Sequence, residues 1–437
     1  MRNWVTAGAL SLLANLSLAA DLPNAVTPIA FPATDPILVE LGRDLFFDPI
    51  LSGNKNIACA TCHHPSLASA DGMSLSLGEG AHNLGADRVV DPGNAPQNRI
   101  PRNAPALFNI GAYEFRVLFH DGRVQADADQ PFGIKMPPHA VLERPVASPL
   151  AAQALMPPTS FDEMAGQDEE NPISLASRDK KFAGKGGVWD LLCKRIEAIP
   201  DYVERFKTVI GDRPLHFTDV ARAIAEFETF EFQSVNSPFD RYLWGDKAAL
   251  TAEQMAGMEI FYGKGQCADC HSGPFLTDHR FHAIGLPQLG PGKEPDSYAD
   301  KGRIAVTGDP EDRYRFRTPS LRNVAITGPY GHNGAYSDLE AMVRHHLDPV
   351  QSLAQYDRTQ ARLHDVSVEL NDWGAMSDFD EVMRIAEAIE LAPVDLSDTE
   401  VAALIAFLGA LTDPNAGRGR LGAPESVPSG LPLDPVR

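Results

Sequence analysis

Apolar residues recur at three- and four-residue intervals in several stretches of this 437-residue chain, which is the spacing of one face of an α-helix. In the stretch FTDVARAIAEFETF (217–230), Val220, Ile224 and Phe227 fall on one predicted helical face. The stretch SDTEVAALIAFLGAL (397–411) carries a similar apolar stripe near the end of the chain. No strong alternation of apolar and polar residues, the mark of a half-buried strand, accompanies them. The pattern therefore predicts a mainly α-helical protein.

Residue types at the predicted helix starts and between the helices support this interpretation. Thr251 with Gln254, and Ser397 with Glu400, have the spacing of capping boxes, in which each side chain bonds the backbone N–H of the other residue. The chain also contains 35 glycines and 35 prolines. We expect long ordered loops from about residue 64 to 160 and from about residue 272 to 320.

The length of the chain and the stretch QSVNSPFDRYLWGD (233–246) predict two domains, residues 21–235 and 236–437. The final segment is expected to be able to pack back on the first domain.

Residues 1–20 are typical of an export signal, because Arg2 precedes the apolar run 5–18 and small residues follow it. We expect cleavage near Ala20 and a periplasmic mature protein. An uncleaved membrane anchor is the alternative.

The formal net charge of −21 argues against nucleic acid as a partner, since phosphates would be repelled by such a surface. A basic protein partner or a small neutral substrate is more compatible with this charge.

Two short motifs each place two cysteines two residues apart, with a histidine directly after the second. The stretches NIACATCHHPS and GKGQCADCHSG contain, respectively, Cys59, Cys62 and His63, and Cys267, Cys270 and His271. Two thiols at this spacing can form thioethers with one haem, and the histidine then reaches the iron as proximal ligand. Two copies in an exported chain predict two covalently attached c-type haems.

Other uses of these cysteines agree less well with the sequence. Zinc would need a fourth donor that neither motif supplies nearby, and a redox dithiol or a disulfide would not need the histidine. The fifth cysteine, Cys193, fits the apolar face of a helix and is predicted to be inert core. Two haems still leave two functions open, electron transfer through two fully ligated irons or peroxide chemistry at an open one.

The chain resembles the bacterial di-haem cytochrome c peroxidase and MauG superfamily. The resemblance rests on several stretches in order, ELGRDLFFDP, CATCH, RNAPALFN, FHDGR, QALMPPTSFDEM, NSPFDRYLWGDKAALTAEQMAGMEIF, CADCH and FRTPSLRNVAITGPYGHNGAYSDLEAMVRHH. It implies two cytochrome c-like haem domains with long loops. In this family the N-terminal haem is the peroxide site and the C-terminal haem delivers electrons.

The resemblance also assigns roles to individual residues. The stretch QALMPPTSFDEM matches the pocket above the peroxide-binding haem, which makes Glu163 the acid–base residue, Gln153 its neighbour and Pro157 part of the lining. A carboxylate there can move a proton between the two peroxide oxygens. Without the resemblance, Glu163 reads as an acidic residue in the first turn of a helix after Ser160.

A calcium ion between the domains is implied as well. The side chain of Asn103 and the backbone carbonyls of Arg317 and Pro319 match its ligands, and such oxygen donors suit a hard cation. Without the resemblance, Asn103 would merely set a turn before Pro105.

Three positions depart from the better-known family pattern. His346 stands where relatives place a methionine or tyrosine ligand of the C-terminal haem, and His345 is the alternative if the register shifts. His120 stands where relatives place a tryptophan between the haems. In SLSLGEGAHNLG (74–85), the sequence leaves open whether His82 ligates the N-terminal iron.

The sequence therefore predicts an exported di-haem oxidoreductase of the cytochrome c peroxidase type, which reduces hydrogen peroxide with electrons from a small c-type cytochrome or cupredoxin. The alternative is a MauG- or MbnH-like enzyme that oxidises side chains of a partner protein. A non-catalytic di-haem electron carrier is the third interpretation, and a homodimer is compatible with each.

Overall fold

The computed structural model describes residues 22–167, 169–293, 298–366 and 370–435, and in these ranges the protein is built mainly from α-helices. The predicted export signal lies outside the described residues. The helices are α1 (Pro36–Phe47), α2 (Cys59–Cys62), α3 (Pro149–Ala154), α4 (Pro172–Arg178), α5 (Val188–Glu197), α6 (Pro200–Ile210), α7 (Phe217–Glu231), α8 (Pro238–Leu243), α9 (Ala252–Phe261), α10 (Ile304–Thr307), α11 (Leu339–Leu347), α12 (Pro349–Ala354), α13 (Gly374–Ser377), α14 (Phe379–Glu387) and α15 (Asp398–Gly409).

Short antiparallel strands lie in the loops between these helices. They are β1 (Ala81–His82), β2 (Val89–Val90), β3 (Val117–Leu118), β4 (Val124–Ala126), β5 (Ile134–Lys135), β6 (Phe281–His282) and β7 (Phe316–Arg317). β1 pairs with β2, β3 and β5 flank β4, and β6 pairs with β7. None exceeds three residues, so these pairs fasten loops and do not form a sheet core.

The first hydrophobic core is centred on the crossing of α1 and α7, with α5 and α6 packed beside it. Gly42 in α1 makes this crossing possible, because a Cβ at its position would lie 1.9 Å from the backbone oxygen of Ala223. Phe227, one turn further along α7, packs against the same spot. Val220, Ile224 and Phe227 are all buried here, as the helical spacing predicted. Cys193 also lies in this core, as expected.

The second core repeats this arrangement with α9 and α15. A Cβ on Gly257 would lie 1.9 Å from the backbone oxygen of Ala403 and 2.8 Å from the Cβ of Phe407. The predicted capping boxes begin both helices, since Gln254 and Glu400 accept hydrogen bonds from the backbone N–H groups of Thr251 and Ser397. The same helix pair, with the same glycine contact, therefore occurs in each half of the chain.

Two asparagines tie the loops of each half to its last long helix. The backbone N–H of Asn109 donates to Phe232 O after α7, and that of Asn323 donates to Leu411 O after α15, both at 3.0 Å. Their φ angles are 62° and 63°, in the left-handed region that asparagine tolerates better than most residues. Both side chains also bond Ser234, beside the predicted domain boundary.

A buried ion-pair network joins the two halves. The Arg102 guanidinium donates to Asp121 at 2.6 Å and to Asp300 at 2.9 Å, and the side chains of all three residues are at most 6% exposed. The two aspartates are 300 − 121 = 179 residues apart in sequence. The network therefore fixes how the FHDGR stretch lies against the second half.

The segment after α15 returns to the first core. Ala416 and Val427 are buried in it, and Thr61 in α2 donates a hydrogen bond to Asp434. The buried carboxylate of Glu231 accepts from the N–H groups of residues 420–422. The mainly α-helical prediction is confirmed, whereas the division at residue 235 stays a prediction. In the described residues, no helix is both long and apolar enough to cross a membrane.

Candidate functional site

The first cysteine motif forms the one-turn helix α2, and His63 follows it directly. The Nδ1 atom of His63 lies 3.0 Å from the carbonyl oxygen of Ser69, and the Pro105 carbonyl also faces this ring. Such a bond holds the proton on Nδ1 and leaves the lone pair of Nε2 free to bind a metal. Burial lowers the pKa of His63, which keeps the ring neutral.

The second motif has the same construction. Nδ1 of His271 lies 3.2 Å from the carbonyl oxygen of Leu276, and the Pro319 carbonyl also faces the ring. Leu276 and Ser69 occupy equivalent places and have left-handed φ angles of 54° and 58°. Burial and the neighbouring His346 lower the pKa of His271 to about 4.

The sequence carries a repeated pattern for this construction that the cysteine motifs alone do not reveal. Both motifs are followed by the pattern Pro-x-Leu-x-Asn, in PALFN and PSLRN, which starts 105 − 63 = 42 residues after His63 and 319 − 271 = 48 residues after His271. The proline supplies the carbonyl behind the histidine, and the asparagine anchors the loop to the last helix of its half.

His346 faces His271 across the space beside the second motif. Their ring centroids are 6.4 Å apart, and Nδ1 of His346 is engaged by Met342 O at 2.9 Å. Two imidazoles bound through Nε2 to opposite sides of one metal have centroids roughly 6 Å apart, given a metal–nitrogen distance of about 2 Å. These two residues therefore fit a haem iron with two histidine ligands.

His345 is held in a different way. It is fully buried, its Nδ1 lies 3.1 Å from the Tyr336 hydroxyl, and its Nε2 lies 2.8 Å from Ile284 O. Both ring nitrogens are thus used within the protein, which favours His346 over its neighbour as a ligand.

A cavity of about 570 Å³ extends from the second motif toward the first half of the chain. Its volume is typical of a pocket for a large cofactor. The lining includes residues of the predicted second haem site, the predicted calcium ligands and two predicted catalytic residues. In that order these are Cys267, Cys270, His271 and His346, then Asn103, Arg317 and Pro319, then Gln153 and His120. The predicted calcium ligands and His120 therefore share one cavity with the second motif.

Glu163 lies in a single π-helical turn, Phe161–Ala165. Glu163 lies in the first turn after Ser160, as the alternative interpretation expects, although the Ser160 side chain makes no capping hydrogen bond. The backbone of Gly78 packs directly against this turn, since a Cβ at Gly78 would lie 2.1 Å from Asp162 O. Burial and the charge of Asp71 raise the pKa of Cys62 to about 12, and Glu163 contributes as well, so its carboxylate is close to the first motif.

Gln153 and His120, from two further segments, line the cavity that extends from the second motif. Gln153 lies in α3, and its Oε1 atom is buried without a hydrogen-bond partner. An unpaired buried amide oxygen is costly, and its position on the cavity lining indicates that it serves a bound group. Burial and the nearby Arg102 guanidinium hold the pKa of His120 well below its usual range.

The predicted calcium ligands have other contacts. Nδ2 of Asn103 donates to Met73 O at 2.7 Å, which fixes the orientation of its amide. The backbone N–H of Arg317 donates to His120 O at 2.7 Å. His82 is exposed in β1, whereas the nearby Glu79 is buried and accepts from Asn56 at 2.8 Å.

One cysteine of the second motif also belongs to a cluster of side chains that can bind metals. Cys270, Asp278 and His282 lie close enough to share an ion. However, both ring nitrogens of His282 are already 3.0 Å from carboxylate oxygens, those of Asp278 and Glu390. Burial lowers the pKa of His282, but the two carboxylates outweigh it and raise the pKa, which favours a charged ring without a free electron pair.

Comparisons with known proteins agree with this geometry. A family profile described as "Di-haem cytochrome c peroxidase" matches residues 36–248. The methylamine utilization protein MauG of Methylorubrum extorquens is 33% identical over 324 residues, which cover 73% of this chain and 71% of that protein. The cytochrome c551 peroxidase of Pseudomonas aeruginosa is 30% identical over 333 residues, covering 75% and 76%. A solved MauG-like protein associated with microbial copper homeostasis has a TM-score of 0.56 at 25% identity, covering 94% of this chain and 97% of that one.

The chain therefore belongs to the di-haem cytochrome c peroxidase family. It is a peroxide-using oxidoreductase with two haems, and the resemblance found in its motifs is confirmed.

Proposed function

We propose that this protein is a periplasmic cytochrome c peroxidase in which each cysteine motif holds its haem covalently. Cys59 and Cys62 bond the first haem and His63 ligates its iron, and Cys267, Cys270 and His271 do the same for the second. The observation that carries this assignment is the matched pair of histidines whose Nδ1 atoms face backbone carbonyls and whose Nε2 atoms are left for a metal.

The first haem, when bound, supplies the iron at which peroxide is reduced. Glu163 takes the proton from one peroxide oxygen and returns it to the other, which leaves as water. Gln153 accepts a hydrogen bond from peroxide through its unpaired Oε1 and so orients it. Gln153 lies in the short helix α3 and Glu163 in a single π-helical turn, and such regular backbone suits a site that must hold a small substrate in one orientation.

A haem at the second motif would supply the two electrons that peroxide consumes. His271 and His346 would both ligate its iron, which would exclude peroxide from that iron. His120 lines the cavity at the second motif as a neutral, polar group, while calcium bound by Asn103, Arg317 and Pro319 would stabilise the loops around it. The electrons come from a small c-type cytochrome or cupredoxin, whose basic face would complement the net charge of −21.

The test compares two adjacent carboxylates. Purified holoenzyme is mixed with hydrogen peroxide and a reduced small cytochrome, and the loss of the reduced cytochrome's absorbance is followed. Glu163→Gln should lower kcat by about 10²–10⁴, the usual contribution of a general acid–base group. Asp162→Asn is the matched control and should keep most of the activity.

Electron paramagnetic resonance of the oxidised protein gives an independent check. One high-spin and one low-spin haem signal are expected. Two low-spin signals that do not change when peroxide is added would exclude catalysis at the first haem.

A second candidate is oxidation of side chains on a partner protein, in the manner of a MauG-like enzyme. The observation that favours it is the 33% identity with MauG of Methylorubrum extorquens. If small reduced cytochromes are oxidised slowly but the peroxide-treated protein stays oxidised until a specific partner is added, this candidate replaces the first.

A further inference from the structure

A row of aromatic rings leads from the second motif toward the protein surface. The centroid of His345 is 6.2 Å from that of His346 and 5.2 Å from that of Tyr336. Tyr336 is 5.4 Å from Tyr356, and Tyr356 is 6.2 Å from Trp373. We call these five residues the aromatic row.

The row runs from the interior outward. His345 and Tyr336 are buried, whereas Tyr356 and Trp373 are half-buried. Each step lies within the range of contacting aromatic pairs. The Tyr336 hydroxyl also bonds Nδ1 of His345, and the Tyr356 hydroxyl bonds Ala335 O, so both rings have a fixed orientation.

The order of ring types matters as much as the distances. Tyrosine and tryptophan are the aromatic side chains that lose an electron most easily, and phenylalanine is far harder to oxidise. Electron tunnelling slows steeply with distance, so several short steps between such rings are faster than one long step.

We propose that the aromatic row carries single electrons between a donor bound over Trp373 and the second haem. This inference rests on the proposed function, because the row begins at His346. It adds the place on the surface where the electron donor docks.

The step balances with peroxide as the oxidant. Peroxide takes up two electrons and two protons and leaves as two waters. Each electron leaves the donor, enters the Trp373 ring, and passes through Tyr356 and Tyr336 toward the haem side of His346. While Tyr336 is short of an electron, its phenolic proton shifts to Nδ1 of His345 and returns with the next electron. The proton of the half-buried Tyr356 passes to solvent and is taken back from it, because a backbone carbonyl is too weak a base to hold it.

Arg358 affects the outer end of the row. Its guanidinium lies 4.9 Å from the centre of the Trp373 indole. A positive charge at this place disfavours loss of an electron from the ring, so oxidised Trp373 is short-lived and draws an electron strongly from whatever binds there.

Trp244 serves as the matched comparison. It is 51% exposed, and no ring contact links it to the row in the part of the chain that the structure describes. It should therefore not take part in the transfer, although it is more accessible than Trp373.

The test traps electron loss directly. The holoenzyme is treated with hydrogen peroxide in the absence of a donor but with a nitroso spin trap, which forms covalent adducts with ring radicals, and peptide mass spectrometry locates the adducts. We expect adducts on Trp373 and Tyr356 in the wild type. Tyr356→Phe should lose the Trp373 adduct while its haem absorbance still responds to peroxide, and Trp244→Phe should match the wild type.

Two results would overturn the route. The first is a Trp373 adduct that is as abundant in Tyr356→Phe as in the wild type, since peroxide would then act on the indole directly. The second is a haem absorbance that responds to peroxide while Tyr356 and Trp373 stay unmodified. In that case the route is wrong but the proposed function still holds. If the haem absorbance does not respond at all, the proposed function fails and the route fails with it.

Discussion

Neighbouring residues of the same type have different roles in this protein, and their contacts explain why. His345 and His346 are adjacent in α11, but residues one position apart on a helix point about 100° apart. His345 therefore faces Tyr336 and Ile284 O, and His346 faces His271. The sequence alone left both as candidates, because it does not set the rotation of α11 about its axis.

Substitution of each histidine should give separate results. His346→Gly should remove the low-spin signal of the second haem in electron paramagnetic resonance, and added imidazole should restore it. His345→Gln should keep that signal but lower the free energy of unfolding by about 1–3 kcal/mol, because buried hydrogen-bonding groups lose their partners. A low-spin signal that survives in His346→Gly would show that another residue is the ligand.

Helix pairs are the next level, and here the two halves of the chain are built alike. In each half a glycine on an early helix, α1 or α9, meets an alanine carbonyl on the last, α7 or α15, with a phenylalanine one turn further on. The close approach brings the loop that follows each cysteine motif within reach of the Pro-x-Leu-x-Asn segment of the same half. Helical spacing predicted α7 and α15, but not which helices they cross.

Adding a methyl group at either crossing should separate the helices. Gly42→Ala and Gly257→Ala should each lower the free energy of unfolding by about 1–3 kcal/mol, the usual cost of overpacking. Gly409→Ala is the control, because nothing lies within 4 Å of a Cβ there and alanine is the better helix former. Urea denaturation of the three variants provides the measurement, and equal midpoints for all three would contradict the packing argument.

At the scale of the whole molecule, the buried Arg102 network decides how the halves meet. It joins the loop before the Pro-x-Leu-x-Asn segment of the first half to Asp300 in the second. The described part of the C-terminal segment adds a second tie through Glu231 and Asp434. Both connections involve residues far apart in sequence, so no local pattern indicates them.

Loss of the central cation should be costly. Arg102→Met leaves the buried Asp300 without its charged partner and Asp121 with Arg123 alone, and we expect a loss of about 3–5 kcal/mol in the free energy of unfolding. The exposed ion pair of Lys264 and Glu400 offers a matched control, since Lys264→Met should cost about 1 kcal/mol or less. Similar losses in both variants would mean that burial does not increase the contribution of the Arg102 network to the free energy of unfolding.

The same network predicts how stability depends on pH. Despite burial, the charge of Arg102 lowers the pKa of Asp300 to about 2, below the value of about 3.9 for an unfolded aspartate. A carboxyl group with a lowered pKa stabilises the fold above its unfolded pKa, and this contribution is lost as the pH falls from about 4 to about 2. The urea midpoint should fall across this window and fall less in Asp300→Asn. An unchanged slope in the variant would contradict this assignment.

The cysteine motifs, the helical periodicity and the capping boxes were readable from the chain by itself, because each depends on residues within a few positions of one another. Together with the ordered stretches that carry the resemblance, they indicated the family, the two haems and the mainly α-helical fold. The contacts that favour His346 over His345, the unpaired Oε1 of Gln153, the Arg102 network and the ring contacts of the aromatic row are visible only in the tertiary structure. Each depends on the direction in which a side chain points and on contacts between distant segments, which packing sets and local sequence does not.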